Sequence, residues 1–179
     1  MKQIDFENGT ITQNIFMAAI PMLVAQVLNL LYNIVDRIYI ARIPGVGTTA
    51  LGAVGLCFPV IMIITAFSNL FGSGGAPLFS IERGRGNREN AGRILNTSFS
   101  MLALASIVLM LAGLIFARPI LTLFGASADA LTYSYPYLMI YLLGTFPSMI
   151  ATGMNPFINA QGYATTGMLS VALGAVANL

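Results

Sequence analysis

The chain has 179 residues, 57% of them hydrophobic and only 8% charged, with a net charge of +2. A water-soluble domain carries about 25% charged residues, so a surface facing water could not be covered and the chain reads as an integral membrane protein. With no histidine and a single cysteine, Cys57, an internal disulfide and a Cys/His metal site are both excluded.

The opening MKQIDFENGT places Asp5 and Glu7 ahead of the apolar stretch without a leading basic cluster, so it is not read as a cleaved signal. A first span is predicted over 15–36. Pro21 near its start predicts a kink, because proline cannot donate to the Met17 carbonyl and its ring clashes with it. ARIPGVGTT (41–49) turns the chain into a second span over 50–71, which the glycine-rich GSGGAP (72–77) is expected to loosen or end.

Residues 82–93, ERGRGNRENAGR, set four arginines against two glutamates. Such a segment is expected to stay on the cytoplasmic side, which places the N-terminus there too. A lipid-headgroup contact is the other reading of the same arginines.

The third span covers 94–117 and is expected to end at Arg118-Pro119. LTLFGASAD (121–129) leads to a fourth span over 131–153, whose Tyr133, Tyr135 and Tyr137 suit the headgroup level. Asn155-Pro156 is expected to break the next run, and NAQGYATTG (159–167) to form a loop. A fifth span starts near Met168, leaving about 12 residues, or roughly 18 Å of helix, before Leu179. The chain is therefore expected to stop inside a helix. The fold class expected is all-α: a polytopic transmembrane bundle with about five spans, which need about 20 apolar residues each.

Within the first span, Gln26, Asn29, Asn33 and Asp36 follow at steps of three, four and three, so they share one helix face. Tyr32 flanks them, and the intervening positions are aliphatic. A central Asp costs roughly 2.5–3.5 kcal/mol to insert into a bilayer, so the stripe is expected to face a partner helix or a water-filled cavity. Asp36 alone, close to one membrane surface, also fits an end-cap paired with Arg37 or Arg42. The rest of the stripe favours a carboxylate that trades a proton or holds Na⁺.

A fainter line of Thr65, Ser68, Asn69 and Gly72 suits helix packing better than ligand contact. GSGGAP lacks the Gly-Lys-Ser/Thr ending of a phosphate loop. The ten methionines suit core packing or an adaptable apolar cavity.

Three stretches together, NIVDRIYIARIPGVG with Pro21 fifteen residues before Asp36, GSGGAPLFSIERGRGNRENAGR, and NPFINAQGYATTGMLSVALGAVANL, resemble the multidrug and toxic compound extrusion (MATE) family at its N-terminal end. The resemblance implies twelve transmembrane helices in two six-helix lobes around a central cavity. It implies export of cationic and aromatic compounds in exchange for H⁺ or Na⁺, with no other cofactor. Carried over by position, Asp36 matches the acidic residue of the ion or proton site and Asn178 an asparagine that helps ligate the ion. Pro21 matches the kink that changes with protonation, and Gln161-Gly162 the loop before the fifth helix. The stripe residues Gln26, Asn29, Tyr32 and Asn33 are expected, from their shared helix face, to line the cavity. Ala41-Arg42 and Glu82 depart from the family's usual residues, outside that site.

The partners implied are small substrates, membrane lipids and a C-terminal lobe of the same protein, with no nucleic acid. A flippase of lipid-linked intermediates is the alternative, against which stands the absence of basic residues within the spans. A membrane enzyme would need a nucleophile–base pair or metal ligands, and none is present in the spans; a short non-transporting membrane protein is a further alternative.

Overall fold

The computed structural model describes residue 4 and residues 9–178, the side chain of residue 178 excepted. The described residues form helices without a strand: α1 Ile11–Ala41, α2 Gly47–Leu56, α3 Phe58–Gly84, α4 Arg88–Leu123, α5 Ala128–Leu143, α6 Thr145–Ala160 and α7 Ala164–Asn178. α1, α3 and α4, at 31, 27 and 36 residues, are long and apolar enough to cross a membrane. α5 and α6 together pass the same test but meet at an angle of 58°. The predicted stretches 15–36 and 94–117 lie inside α1 and α4, while 50–71 straddles α2 and α3, and 131–153 straddles α5 and α6.

Three predicted interruptions do not occur. GSGGAP lies inside α3, which continues through Pro77 to Gly84. Two of its three glycines serve close approach instead: a side-chain carbon on Gly72 would meet the Gly153 backbone, and one on Gly75 would meet Ser98 and Phe157. α4 passes through Pro119 to Leu123, and α6 through Pro156 to Ala160. In a bundle, neighbouring helices hold a segment that has lost one backbone bond.

The break comes at Gly144 instead. Pro147, early in α6, has no N–H to give the Leu143 carbonyl four residues back, so the ladder is interrupted there.

Helix ends follow local chemistry. Gly86 and Gly125 hold φ of 75° and 87°, a region glycine enters freely. In both turns the next residue reaches back five positions, Asn87 N–H to the Glu82 carbonyl at 2.9 Å and Ala126 N–H to that of Leu121 at 3.0 Å. The Asn87 and Ser127 side chains then accept from Asn90 and Ala130 N–H and start α4 and α5.

The core is shared by α3, α4, α5 and α6, with Cys57 at the α2–α3 junction. Cys57, Ile64, Leu102, Leu121, Leu138, Leu142 and Met149 pack together in it. A second cluster, Ala76, Phe79, Ala91 and Phe157, joins α3, α4 and α6 at the other end, with the Phe79 and Phe157 rings edge to face at 5.5 Å. Ser68 and Thr152 share a 2.8 Å hydrogen bond between α3 and α6, as the packing reading of the Thr65–Gly72 line expects. α1 stands to one side, against α7 and α2.

Candidate functional site

No residue of α1 is fully buried. Ala25, Leu28, Asn29, Tyr32, Val35 and Asp36 are half-buried, and this spacing of three and four residues marks the face α1 turns toward its neighbours. The polar stripe is thereby split. Asn29, Tyr32 and Asp36 belong to the inward face, whereas Gln26 and Asn33 stand exposed at its margin. Asn33 leans back across that margin: its Nδ2 donates to the Asn29 backbone carbonyl at 2.8 Å and to Asn29 Oδ1 at 3.1 Å. That pairing meets part of the hydrogen-bonding need of two amides in an apolar surrounding.

α7 and α2 pack against α1, and α5 comes within electrostatic reach of the turn that carries Tyr32 and Asp36. Tyr137 lies within electrostatic reach of Asp36, Arg37 and Tyr32, and Tyr141, one turn further on, within reach of Tyr137 and Tyr32. Both rings are half-buried and pack partly on the core. Tyr135 takes the Arg118 guanidinium over its ring at 5.3 Å. Arg37 sits over the Phe58 ring at 5.0 Å, which ties the carboxylate-bearing turn of α1 to the start of α3. The result is a carboxylate and Tyr32 on α1 within electrostatic reach of the Tyr137 and Tyr141 hydroxyls of α5.

Pro21 is half-buried, and α1 runs unbroken through it. Asn178 closes α7, its side chain outside the described residues. Among the described residues no group of three or more His, Cys, Asp and Glu could hold a metal ion. Any cation here would rest on Asp36 with neutral oxygens.

Reading Asn155-Pro156 as a break hid a second polar cluster. Asn155 Nδ2 donates to the Gly167 carbonyl and to Ser170 Oγ, both at 3.1 Å, and Asn159 Nδ2 donates to Asn155 Oδ1 at 3.1 Å. Asn159 Oδ1 is buried with no hydrogen-bond partner. The signal was present in the sequence as two asparagines four apart, one helical turn. The cluster fastens α6 to α7, and Ile4 N–H donates to the Gly162 carbonyl at 3.1 Å in the turn between them.

The sequence profile of the MatE family matches residues 21–179. The chain belongs to the MatE family. Among MatE relatives, it is 24% identical over 93% of its length to the multidrug export protein MepA of Staphylococcus haemolyticus, and 25% identical over 90% to an FAD transporter of Shewanella oneidensis. It spans about a third of the length of these curated relatives, 36% and 35%.

Two solved structures share the fold over 98% of this chain and cover 38% and 39% of their own. One is a multidrug resistance MATE family transporter in an outward-facing conformation, TM-score 0.88 at 24% identity; the other is a MATE protein in complex with MaD5, TM-score 0.89 at 26% identity. The all-α membrane bundle read from the sequence is the MatE helical fold, present as a fragment of it.

Proposed function

We propose that this MatE chain is part of the first lobe of a cation-coupled exporter, with Asp36 as its coupling group. The observation that carries the reading is the placement of Asp36, Asn29 and Tyr32 on the inward face of α1, with Tyr137 and Tyr141 within electrostatic reach of its Tyr32–Asp36 turn. A carboxylate that gains a proton or Na⁺ changes the charge of this face. A second lobe completes the cavity, and the ion stabilises one of two access states over the other. Gln26 and Asn33 line the entrance, Asn178 supplies a further ligand, and the turn around Pro21 bends as the charge at Asp36 changes.

Cationic aromatic compounds are the substrate class. The tyrosine rings offer cation–π contacts worth about 0.5–2 kcal/mol each, and the carboxylate offers the opposite charge. The S. haemolyticus relative is named a multidrug export protein, which supports export of small compounds. The N-terminus lies on the cytoplasmic side, with the arginine-rich turn between α3 and α4.

The test uses the full-length carrier in a pump-deficient bacterium, following ethidium efflux for wild type and Asp36→Asn across pH and Na⁺. Asn keeps the shape and cannot ionise. Loss of efflux at unchanged protein level is expected. Unchanged efflux would make Asp36 an interfacial end-cap and remove the mechanism. FAD transport measured in parallel separates drug export from the activity named for the Shewanella relative.

A further inference from the structure

Between the C-terminal end of α3 and the N-terminal end of α4 lies a cleft of about 470 Å³, lined by Leu78, Ile81, Glu82, Arg85, Asn90, Arg93 and Ile94. Its floor is apolar and its rim is charged. Leu78 and Ile81 are 56% and 51% exposed, so α3 presents aliphatic side chains to the outside within one turn of the ionic residues. That sequence of surfaces, hydrocarbon then charge, is the sequence met on leaving a bilayer through its headgroups.

The rim is wired so that its carboxylates are already engaged. Arg85 Nη1 donates to Glu82 Oε1 at 2.8 Å, Asn90 Nδ2 to Glu82 Oε2 at 3.4 Å, and Arg93 Nη2 to Glu89 Oε1 at 2.8 Å. Each guanidinium carries five donors, and the Arg85 and Arg93 side chains remain 71% and 72% exposed. Donors are therefore left over on both sides of the cleft. Arg83 is turned away from it onto the Phe79 ring at 5.7 Å. The whole segment 82–93, with four arginines and two glutamates, keeps a positive balance.

We infer that this cleft holds an anionic phospholipid of the surrounding bilayer, its phosphate between Arg85 and Arg93 and one acyl chain over Leu78, Ile81 and Ile94. The apolar floor selects a lipid over a soluble phosphate, which would leave those side chains uncovered. Charge selects an anionic headgroup over a zwitterionic one. The inference does not depend on the coupling ion or the exported compound.

The experiment is native mass spectrometry of the purified full-length carrier released from micelles containing equal phosphatidylglycerol and phosphatidylcholine. Wild type is expected to retain phosphatidylglycerol about thirtyfold over phosphatidylcholine, the order that two basic contacts of about 1 kcal/mol each supply near a membrane surface. Arg85→Gln/Arg93→Gln is expected to lose that preference, whereas Arg83→Gln/Arg88→Gln, which removes the same charge from the same segment, keeps it. Equal loss in both double variants would reduce the cleft to a diffuse positive surface and overturn the site. So would equal retention of the two lipids by wild type, the result if another part of the carrier fills the cleft. Displacement of the retained lipid by millimolar inorganic phosphate alone would overturn the choice of a lipid over a soluble anion. A variant that fails to run as a single species on size exclusion is replaced by its Arg→Lys counterpart, which keeps the charge, loses the bidentate fork and is expected to show an intermediate preference.

Discussion

Gly72 of α3 and Gly153 of α6 meet backbone to backbone, so that a side-chain carbon built on Gly72 would run into the Gly153 carbonyl oxygen. Gly153 is itself covered on its other side by Leu102 of α4. Three helices are thereby held at a distance that only hydrogen atoms fit. One turn before Gly72 on α3 and next to Gly153 on α6, the Ser68–Thr152 hydrogen bond adds direction to the same contact.

Gly72→Ala must push α3 and α6 apart, because the colliding atoms are backbone and cannot rotate away. The expected cost is about 1–3 kcal/mol, read as a lower midpoint of thermal unfolding for the full-length carrier in detergent. Gly74→Ala is the control: a side-chain carbon there meets nothing within 4 Å, and no loss is expected.

The asparagine cluster between α6 and α7 makes a parallel prediction. A side-chain carbon on Gly167 would strike Asn159 Oδ1 and crowd Asn155 Oδ1. Gly167→Ala is expected to release the Asn155 bonds to α7 and to raise protease cleavage in the 160–164 turn, measured by limited proteolysis in micelles. Gly174→Ala, with open space around it, should cleave like wild type.

The bend between α5 and α6 is assigned to Pro147 rather than to Gly144, whose φ of −81° suits any residue. Pro147→Ala restores the missing donor, and spin labels at Asp129 and Ala160 are expected to move apart by about 5 Å as two arms at 58° approach a line. Gly144→Ala should leave that distance unchanged.

For transport, Tyr137 divides ring from hydroxyl. If its face receives the cationic substrate, Tyr137→Phe should retain ethidium efflux, while Tyr137→Ala raises the apparent KM by roughly two- to thirtyfold, the range of one cation–π contact. Equal defects in the two variants would instead tie the hydroxyl to Asp36.

Cys57 is fully buried, its thiol donating to the Ser134 carbonyl at 3.5 Å and the Ala53 carbonyl at 3.7 Å. A polar maleimide is expected to leave it unlabelled in the native carrier, with any cysteine beyond residue 179 replaced, and to label it after denaturation. Labelling in the native state would mean that the α2–α3 junction opens.

The sequence by itself determined the solvent and the class of fold. A shortage of charge and long uncharged runs demand a bilayer, and in a bilayer a chain without strand patterning satisfies its backbone within helices. It also determined the helix face of Asn29, Tyr32 and Asp36, because helical periodicity is local. What it left undecided depended on neighbours. Proline and glycine lower the stability of an isolated helix, yet GSGGAP, Pro119 and Pro156 lie inside helices because adjoining helices press against or hydrogen-bond the same turns, while the bend falls at Pro147. The split of the stripe into an inward face and an exposed margin likewise waited on the positions of α7, α2 and α5, which no periodicity within α1 encodes. Asn155 read as a helix break and Asn159 as a loop residue until α7 supplied their partners: whether a polar side chain ends a helix or joins two is decided by what lies across from it.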